Sequence, residues 1–239
     1  MTRLRQGFGG PRSLQAINFD FDGVIANSEP LHLRAFQQAL GDAGVFLSAE
    51  EYFAHYLGFN DEDAFKTISR DRGLGMDDQR VAALVALKGA KMQDMLHGGE
   101  VLFPGAADFI RASAAAVPVA IASGAMRHEI EEIVSAAGLA PLFQTIVASG
   151  DTPESKPSPA PYRLAFERLR SAAGGQLDPN RCVAIEDSRW GLESARGAGL
   201  RCVGVTNSYP AAELKGSAEL IVSGLQTLTL DMLDDLVTT

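Results

Sequence analysis

Residues 16–24 run Ala16-Ile17-Asn18-Phe19-Asp20-Phe21-Asp22-Gly23-Val24. A short, mostly apolar run that stops abruptly at two acids and a glycine reads as a buried strand running into a turn. Five further runs have the same character, so that candidate strands lie at Leu14 to Phe19, Val117 to Ala122, Thr145 to Ala148, Cys182 to Ile185, Cys202 to Val205 and Leu220 to Val222. Longer helical patterns separate them. Such alternation predicts the α/β class, with a parallel sheet covered by helices on both faces.

One interval does not fit a simple crossover. From about Leu31 to Gly99 the pattern is helical throughout, with no strand-like run inside it. Leu31, Phe36 and Leu40 mark an amphipathic first helix, Asp61 to Arg72 a second or third, and Asp77 to Leu96 a long last one. The reading is an inserted helical domain, hinged near Asn27 to Pro30 and near Leu102 to Gly105. Residues 14–30 and 103–239 then form the core, residues 31–102 a helical cap, and residues 1–13 a flexible extension. The insertion starts just past the most reactive-looking turn, which favours a mobile lid over a bundle that only stabilises the core.

The composition narrows the function classes. A net charge of -9 over 239 residues argues against general nucleic-acid binding, which needs a dense array of Lys and Arg. No apolar run approaches the roughly 20 residues of a membrane helix, and Met1 to Arg12 lacks the apolar segment of a secretory signal. Cys182 and Cys202 sit in apolar runs without a ligand partner at metal-binding spacing, so reduced, packed thiols in a cytoplasmic protein are expected.

Four polar clusters follow four of the strands. In an open parallel sheet, groups just past the carboxyl ends face the ligand crevice, which places Asp20 and Asp22 there. Two carboxylates so close can divide labour, one ionised as nucleophile and one protonated as acid, although Asp-x-Asp-Gly is also an ordinary turn. Ser123-Gly124 ends the second strand before a helix near Arg127, where a hydroxyl and backbone N–H groups suit phosphate oxygens; a plain loop is the alternative. Arg127 either reaches a bound anion or is solvated. Lys156 lies in Glu154-Ser155-Lys156-Pro157-Ser158-Pro159, stiffened so that its charge is aimed at one place, unless it is a surface lysine. Glu186-Asp187-Ser188 ends a fourth strand, offering carboxylates for Mg²⁺ or an N-cap for the next helix. Their order along the chain makes coincidence a poor explanation.

Together these residues resemble the four motifs of the haloacid dehalogenase superfamily: Asp20 to Val24 the first, Ser123 the second, Lys156 the third and Glu186-Asp187 the fourth. The likeness extends to Asn27-Ser28-Glu29-Pro30-Leu31-His32, to Phe103-Pro104-Gly105, and to Gly191 and Ala198-Gly199. It covers nearly the whole chain from Leu14. Insertion point and spacing resemble the subgroup of β-phosphoglucomutase and phosphoglycolate phosphatase. The resemblance implies a Rossmann-like core with an inserted helical-bundle cap and a two-step reaction. Asp20 is then the nucleophile, Asp22 the acid and base, and Ser123 and Lys156 complete the catalytic set. It implies substrate contacts at Gly23, Glu29, His32, Ser123, Gly124 and Lys156. Mg²⁺ falls to Asp20, Asp187 and the Asp22 carbonyl, with Glu186 either binding the ion or supporting those that do. True haloacid dehalogenases lack the second aspartate, so Asp22 favours phosphotransfer over dehalogenation.

The expected function is hydrolysis of a small phosphorylated metabolite, a sugar phosphate by preference, by a monomer or small homo-oligomer without nucleic-acid or membrane partners. A phosphosugar mutase is the first alternative. Against it, the loop Leu57 to Glu62, which matches the mutase's grip on a distal phosphate, carries two acids and no Lys or Arg. His32, where the mutase has a hydrogen-bonding histidine, keeps that alternative open. A phospho-accepting signalling or binding module is the second alternative, disfavoured by Asp22 and the cap. Lys88 and Lys91 are read as a solvated helix face rather than as substrate contacts, and Asn27, where relatives often have aspartate, has no assigned role.

Overall fold

The computed structural model describes residues 12–56, 59, 61–96 and 101–238. In chain order the elements are β1 (Ala16–Phe19), α1 (Glu29–Asp42), α2 (Ala49–His55), α3 (Asp61–Asp71), α4 (Asp78–Leu96), α5 (Ala106–Ala116), β2 (Val119–Ala122), α6 (Arg127–Ala136), β3 (Phe143–Val147) and α7 (Ala160–Ala172). Then come β4 (Cys182–Glu186), α8 (Arg189–Gly197), β5 (Arg201–Val205), α9 (Ala211–Leu214), β6 (Leu220–Val222) and α10 (Leu230–Thr238).

All six strands form one parallel sheet in the order β3-β2-β1-β4-β5-β6. Strand order reverses beside β1, which lies between β2 and β4. At such a switch the flanking connections leave in opposite directions and open a crevice past the carboxyl ends. The fold class read from the sequence is the one observed. Each expected strand is present, with ends shifted by a residue or two.

The central strands β1, β2 and β4 are buried at every position, which is why they read as continuous apolar runs rather than alternating ones. On one sheet face Ala16, Ala120, Ala122 and Ala184 present only methyl groups, and Tyr162, Ala165, Phe166 and Leu169 of α7 pack onto them with Leu192 and Ala195 of α8. On the other face Phe19 meets Phe109 of α5 edge-on, ring centroids 6.2 Å apart. Small strand residues let α7 approach closely, which brings its first turn under the strand ends.

The chain divides into two compact units, one ending at Ala26 and resuming at Leu102, the other spanning Asn27–Val101. Within the first unit the departing and returning strands of chain meet, since Ala26 bridges Leu102 and Phe103 N–H donates to the Ile25 carbonyl at 3.0 Å. The second unit is helical among its described residues. Phe36, Ala39, Leu40, Tyr52, Phe65, Ile68, Val81 and Leu84 build its own core, with Ser48 capping α2 through the Glu51 N–H. Residues 1–11 of the expected extension lie outside the described residues, as do 57, 58 and 60 of the loop weighed for mutase activity.

Candidate active site

The register of the sheet assembles the candidate site. Phe19 pairs with Ile121 on one side and Ile185 on the other, so Asp20 leaves β1 level with the ends of β2 and β4. Asp20 N–H donates to the Ile185 carbonyl at 2.9 Å and Ser123 N–H to the Val147 carbonyl at 2.9 Å. Backbone hydrogen bonds thus carry each strand one residue further and fix where its polar residue emerges.

Past Asp20 the chain folds into a tight loop in which the N–H groups of Val24, Ile25 and Ala26 all point at the Phe21 carbonyl. Gly23 is indispensable to that loop. Its φ is +77°, and a Cβ there would fall 1.8 Å from Asp187 Oδ2. Asn207, following β5, donates to the Gly23 carbonyl at 2.7 Å and ties the loop to the neighbouring strand end.

Lys156 is at the centre of the polar cluster. Its ammonium donates to Asp20 Oδ1 at 2.7 Å and to Glu186 Oε1 at 2.6 Å, and lies 4.9 Å from the centroid of the Tyr162 ring. The Tyr162 hydroxyl donates to the same Glu186 oxygen at 2.9 Å. Asp187 accepts a short hydrogen bond from the Ser208 hydroxyl. Asp20, Glu186 and Asp187, all buried, each offer an oxygen to a group whose atoms lie within 4.8 Å of one another.

Three carboxylates here face one ammonium. Burial, then the charge of Glu186, raise the pKa of Asp20 well above the ordinary carboxylate value despite the opposing pull of Lys156. Asp187 is pushed up to about 6, first by burial and then by Glu186, against the lowering effect of Ser208. Burial works against the charge of Lys156, but Asp20 and Glu186 outweigh it and raise its pKa. Burial and the charge of Glu186 likewise raise the phenol of Tyr162, which remains a donor. A pocket with surplus negative charge and hard oxygen donors fits a divalent cation such as Mg²⁺.

Of the residues expected from sequence, the structure brings together Asp20, Lys156, Glu186 and Asp187. Ser123 emerges from the adjacent strand end, buried, its Oγ accepting from Ala125 N–H at 3.0 Å, and Gly124 has open space where a side chain would stand. Asp22 is exposed in the loop beyond Asp20. Glu29 and His32 belong to the helical unit, where Glu29 accepts from the Tyr52 hydroxyl at 2.5 Å and His32 Nδ1 accepts from the Lys88 ammonium at 2.9 Å. Arg127 is engaged at the surface with Asp151 at 2.6 Å and Glu131 at 3.3 Å.

The solvated role read for Lys88 is corrected. It is 3% exposed, pairs with Asp61 at 2.8 Å and lies over the Phe36 ring. The signal was present in the sequence, since Lys88 shares the helical stripe of Val81, Leu84 and Met92. Because Lys88 matches the charge of Asp61, one of the two acids held against a second phosphate is already neutralised. Lys91 pairs with Asp42 at 3.5 Å. Sequence reasoning missed Tyr162, Asn207 and Ser208; the last two follow a fifth strand end, where the rule that found the other four applies equally.

No helix among the described residues is long and apolar enough to cross a membrane. Cys182 and Cys202 are both free and buried, and burial pushes each thiol up to about 12.

Comparison with known proteins follows the same line. The family model described as haloacid dehalogenase-like hydrolase matches residues 14–199. Protein CbbY of Rhodobacter capsulatus is 30% identical over 230 residues, covering 93% of this chain and 99% of the relative. A crystal structure of mutant CbbY from Rhodobacter sphaeroides in complex with xylulose-(1,5)bisphosphate superposes with a TM-score of 0.70 at 30% identity, over 92% of this chain and 99% of that one. Fructose-1-phosphate phosphatase YqaB of Escherichia coli is 26% identical over 78% of this chain and 94% of its own length.

Proposed function

The chain belongs to the haloacid dehalogenase-like hydrolase family, and we propose that it is a Mg²⁺-dependent phosphatase that hydrolyses a small sugar phosphate through an aspartyl-phosphate on Asp20. The observation that carries this reading is the pairing of the buried Asp20 with Lys156 at 2.7 Å, amid carboxylates that leave the pocket short of positive charge.

In this reading Asp20 attacks phosphorus in line and Asp22 protonates the departing oxygen. Asp22 then takes a proton from the water that hydrolyses the acyl phosphate, the two halves of one acid-base role. Ser123, the Gly124 N–H and Lys156 hold the phosphoryl oxygens and oppose the charge that accumulates on them. Asp20, Asp187 and the Asp22 main-chain carbonyl would hold Mg²⁺ beside Glu186, and the ion's chemical contribution is to screen the repulsion between a dianionic phosphate and the attacking carboxylate.

Residues 31–102 are assigned as the cap, with Glu29 just before it and His32 at its start as substrate contacts. The activity named for one relative and the ligand bound to another support a ketose phosphate or bisphosphate as the first substrates to try. Buried, unpaired thiols support a cytoplasmic setting.

The test is phosphate release from a panel that includes xylulose 1,5-bisphosphate, fructose 1-phosphate and hexitol phosphates, with and without Mg²⁺. Turnover of at least one member by the wild type, lost in Asp20→Asn and in Asp22→Asn, is the expected result. Wild-type rates in both variants would refute the assignment. An isomerised product dependent on a bisphosphate activator, with total phosphate conserved, would identify a mutase instead.

A further inference from the structure

Glu186 is fully buried, and protein donors fill both of its oxygens. Besides Lys156 and Tyr162 on Oε1, the N–H of Asp187 donates to Oε2 at 3.2 Å, the N–H of Ser188 at 3.4 Å and the Ser188 hydroxyl at 3.2 Å. A carboxylate has about four lone-pair positions. These five donors occupy both oxygens, and Gly191 stands so close behind the group that a Cβ there would lie 1.9 Å from the carboxylate. Glu186 is therefore held in one orientation by its surroundings.

Tyr162 acts on this arrangement twice. Its hydroxyl occupies Glu186 Oε1, and its ring lies against the Lys156 ammonium. The ring itself cannot drift, because it is fully buried among Ala16, Ala165 and Leu192 at the start of α7. Among the described residues the carboxylate partners of Lys156 are Asp20 and Glu186, so the direction of its ammonium depends on where Glu186 Oε1 stands.

We propose that Tyr162 is a positioning residue, which through Glu186 and its own ring keeps Lys156 aimed at Asp20. The assignment rests on the phosphatase reading for its catalytic consequence, but its structural content stands apart from it. Misaiming a charged donor by a fraction of an ångström weakens charge stabilisation in the reaction more than it weakens substrate binding. Removal of the hydroxyl thus acts on kcat.

Tyr162→Phe keeps the ring and deletes only the donor. With the best substrate at saturating Mg²⁺, kcat should fall about tenfold while KM stays within about twofold, the size expected for one hydrogen bond to a charged group. The second readout uses metal-free protein labelled with ¹⁵N-lysine, the Lys156 ammonium signal being identified by its loss in Lys156→Met. That signal should move in Tyr162→Phe. In the unaltered protein the Tyr162 hydroxyl proton should give a slowly exchanging resonance, an observation that needs no variant to fold. A wild-type kcat, an unmoved ammonium signal or a freely exchanging hydroxyl each overturns the assignment. If the wild type turns over no phosphate ester, the functional reading falls and the two magnetic-resonance measurements alone decide the role of Tyr162.

Discussion

Each of the two units draws a lysine out of the solvent, Lys88 with its side chain 3% exposed and Lys156 with 14%, and the two are surrounded very differently. Among the described residues of the helical unit Lys88 has one carboxylate, Asp61, with the ring nitrogen of His32 as acceptor and the face of Phe36, so its charge is matched one for one. In the sheet unit Lys156 touches two carboxylates with a third close by, and burial, with the charge of Glu186 added to it, raises the pKa values of Asp20 and Asp187. Both lysines could be described as buried salt bridges, and only the count of charges separates them. A balanced pair is complete without a ligand and holds helices together. An unbalanced cluster is costly to fold and is favoured only where something cationic or a reaction makes use of it.

The largest effect is expected at Asp20. Asp20→Asn should reduce phosphate release by about 10⁴-fold or more, as loss of a nucleophile does, and should raise the stability of the metal-free protein, because one of the competing buried charges is gone. Denaturant melts beside turnover assays test both halves. A variant that is both less active and less stable would show that the cluster is balanced after all.

Lys156→Met removes the single counter-charge and should destabilise the metal-free protein by about 3–5 kcal/mol, read as a shift of the denaturation midpoint. Mg²⁺ should stabilise the wild type by about 2.7 kcal/mol at a hundredfold excess over its Kd. The same titration on Asp187→Asn should give little or no shift. The smallest effect belongs to the balanced pair, for Lys88→Met should cost about 1–3 kcal/mol, because Asp61 is 29% exposed and rehydrates when its partner leaves. Adding Asp61→Asn to Lys88→Met should recover part of that loss. If the double variant were less stable than the single one, Lys88 would not be a simple counter-charge.

How much of this was legible depends on what each feature writes into the chain. The central strands were readable because burial on both faces forces unbroken apolar runs such as Val119 to Ala122, and the sheet's crevice was readable because polar residues follow four of the strands. The helical insertion announced itself by periodicity. What the sequence hid was partnership across distance. Tyr162 looks like one more large residue on the stripe of Ala165, Phe166 and Leu169, and only the fold reveals its hydroxyl against Glu186, 24 residues away. Ser208 looks like part of a surface turn until β5 sets it beside Asp187. Lys88 obeys the apolar period exposed by Val81 and Leu84 and was misread because charge outweighed position.

On the proposed function, Asp20 carries the phosphoryl group. Rapid acid quench of the enzyme during turnover of a ³²P-labelled substrate, followed by peptide mapping, tests it most directly. Label on the peptide containing Asp20, absent in Asp20→Asn, is the predicted result. Label on another residue, or burst-phase phosphate release with no labelled protein at any time, would contradict it.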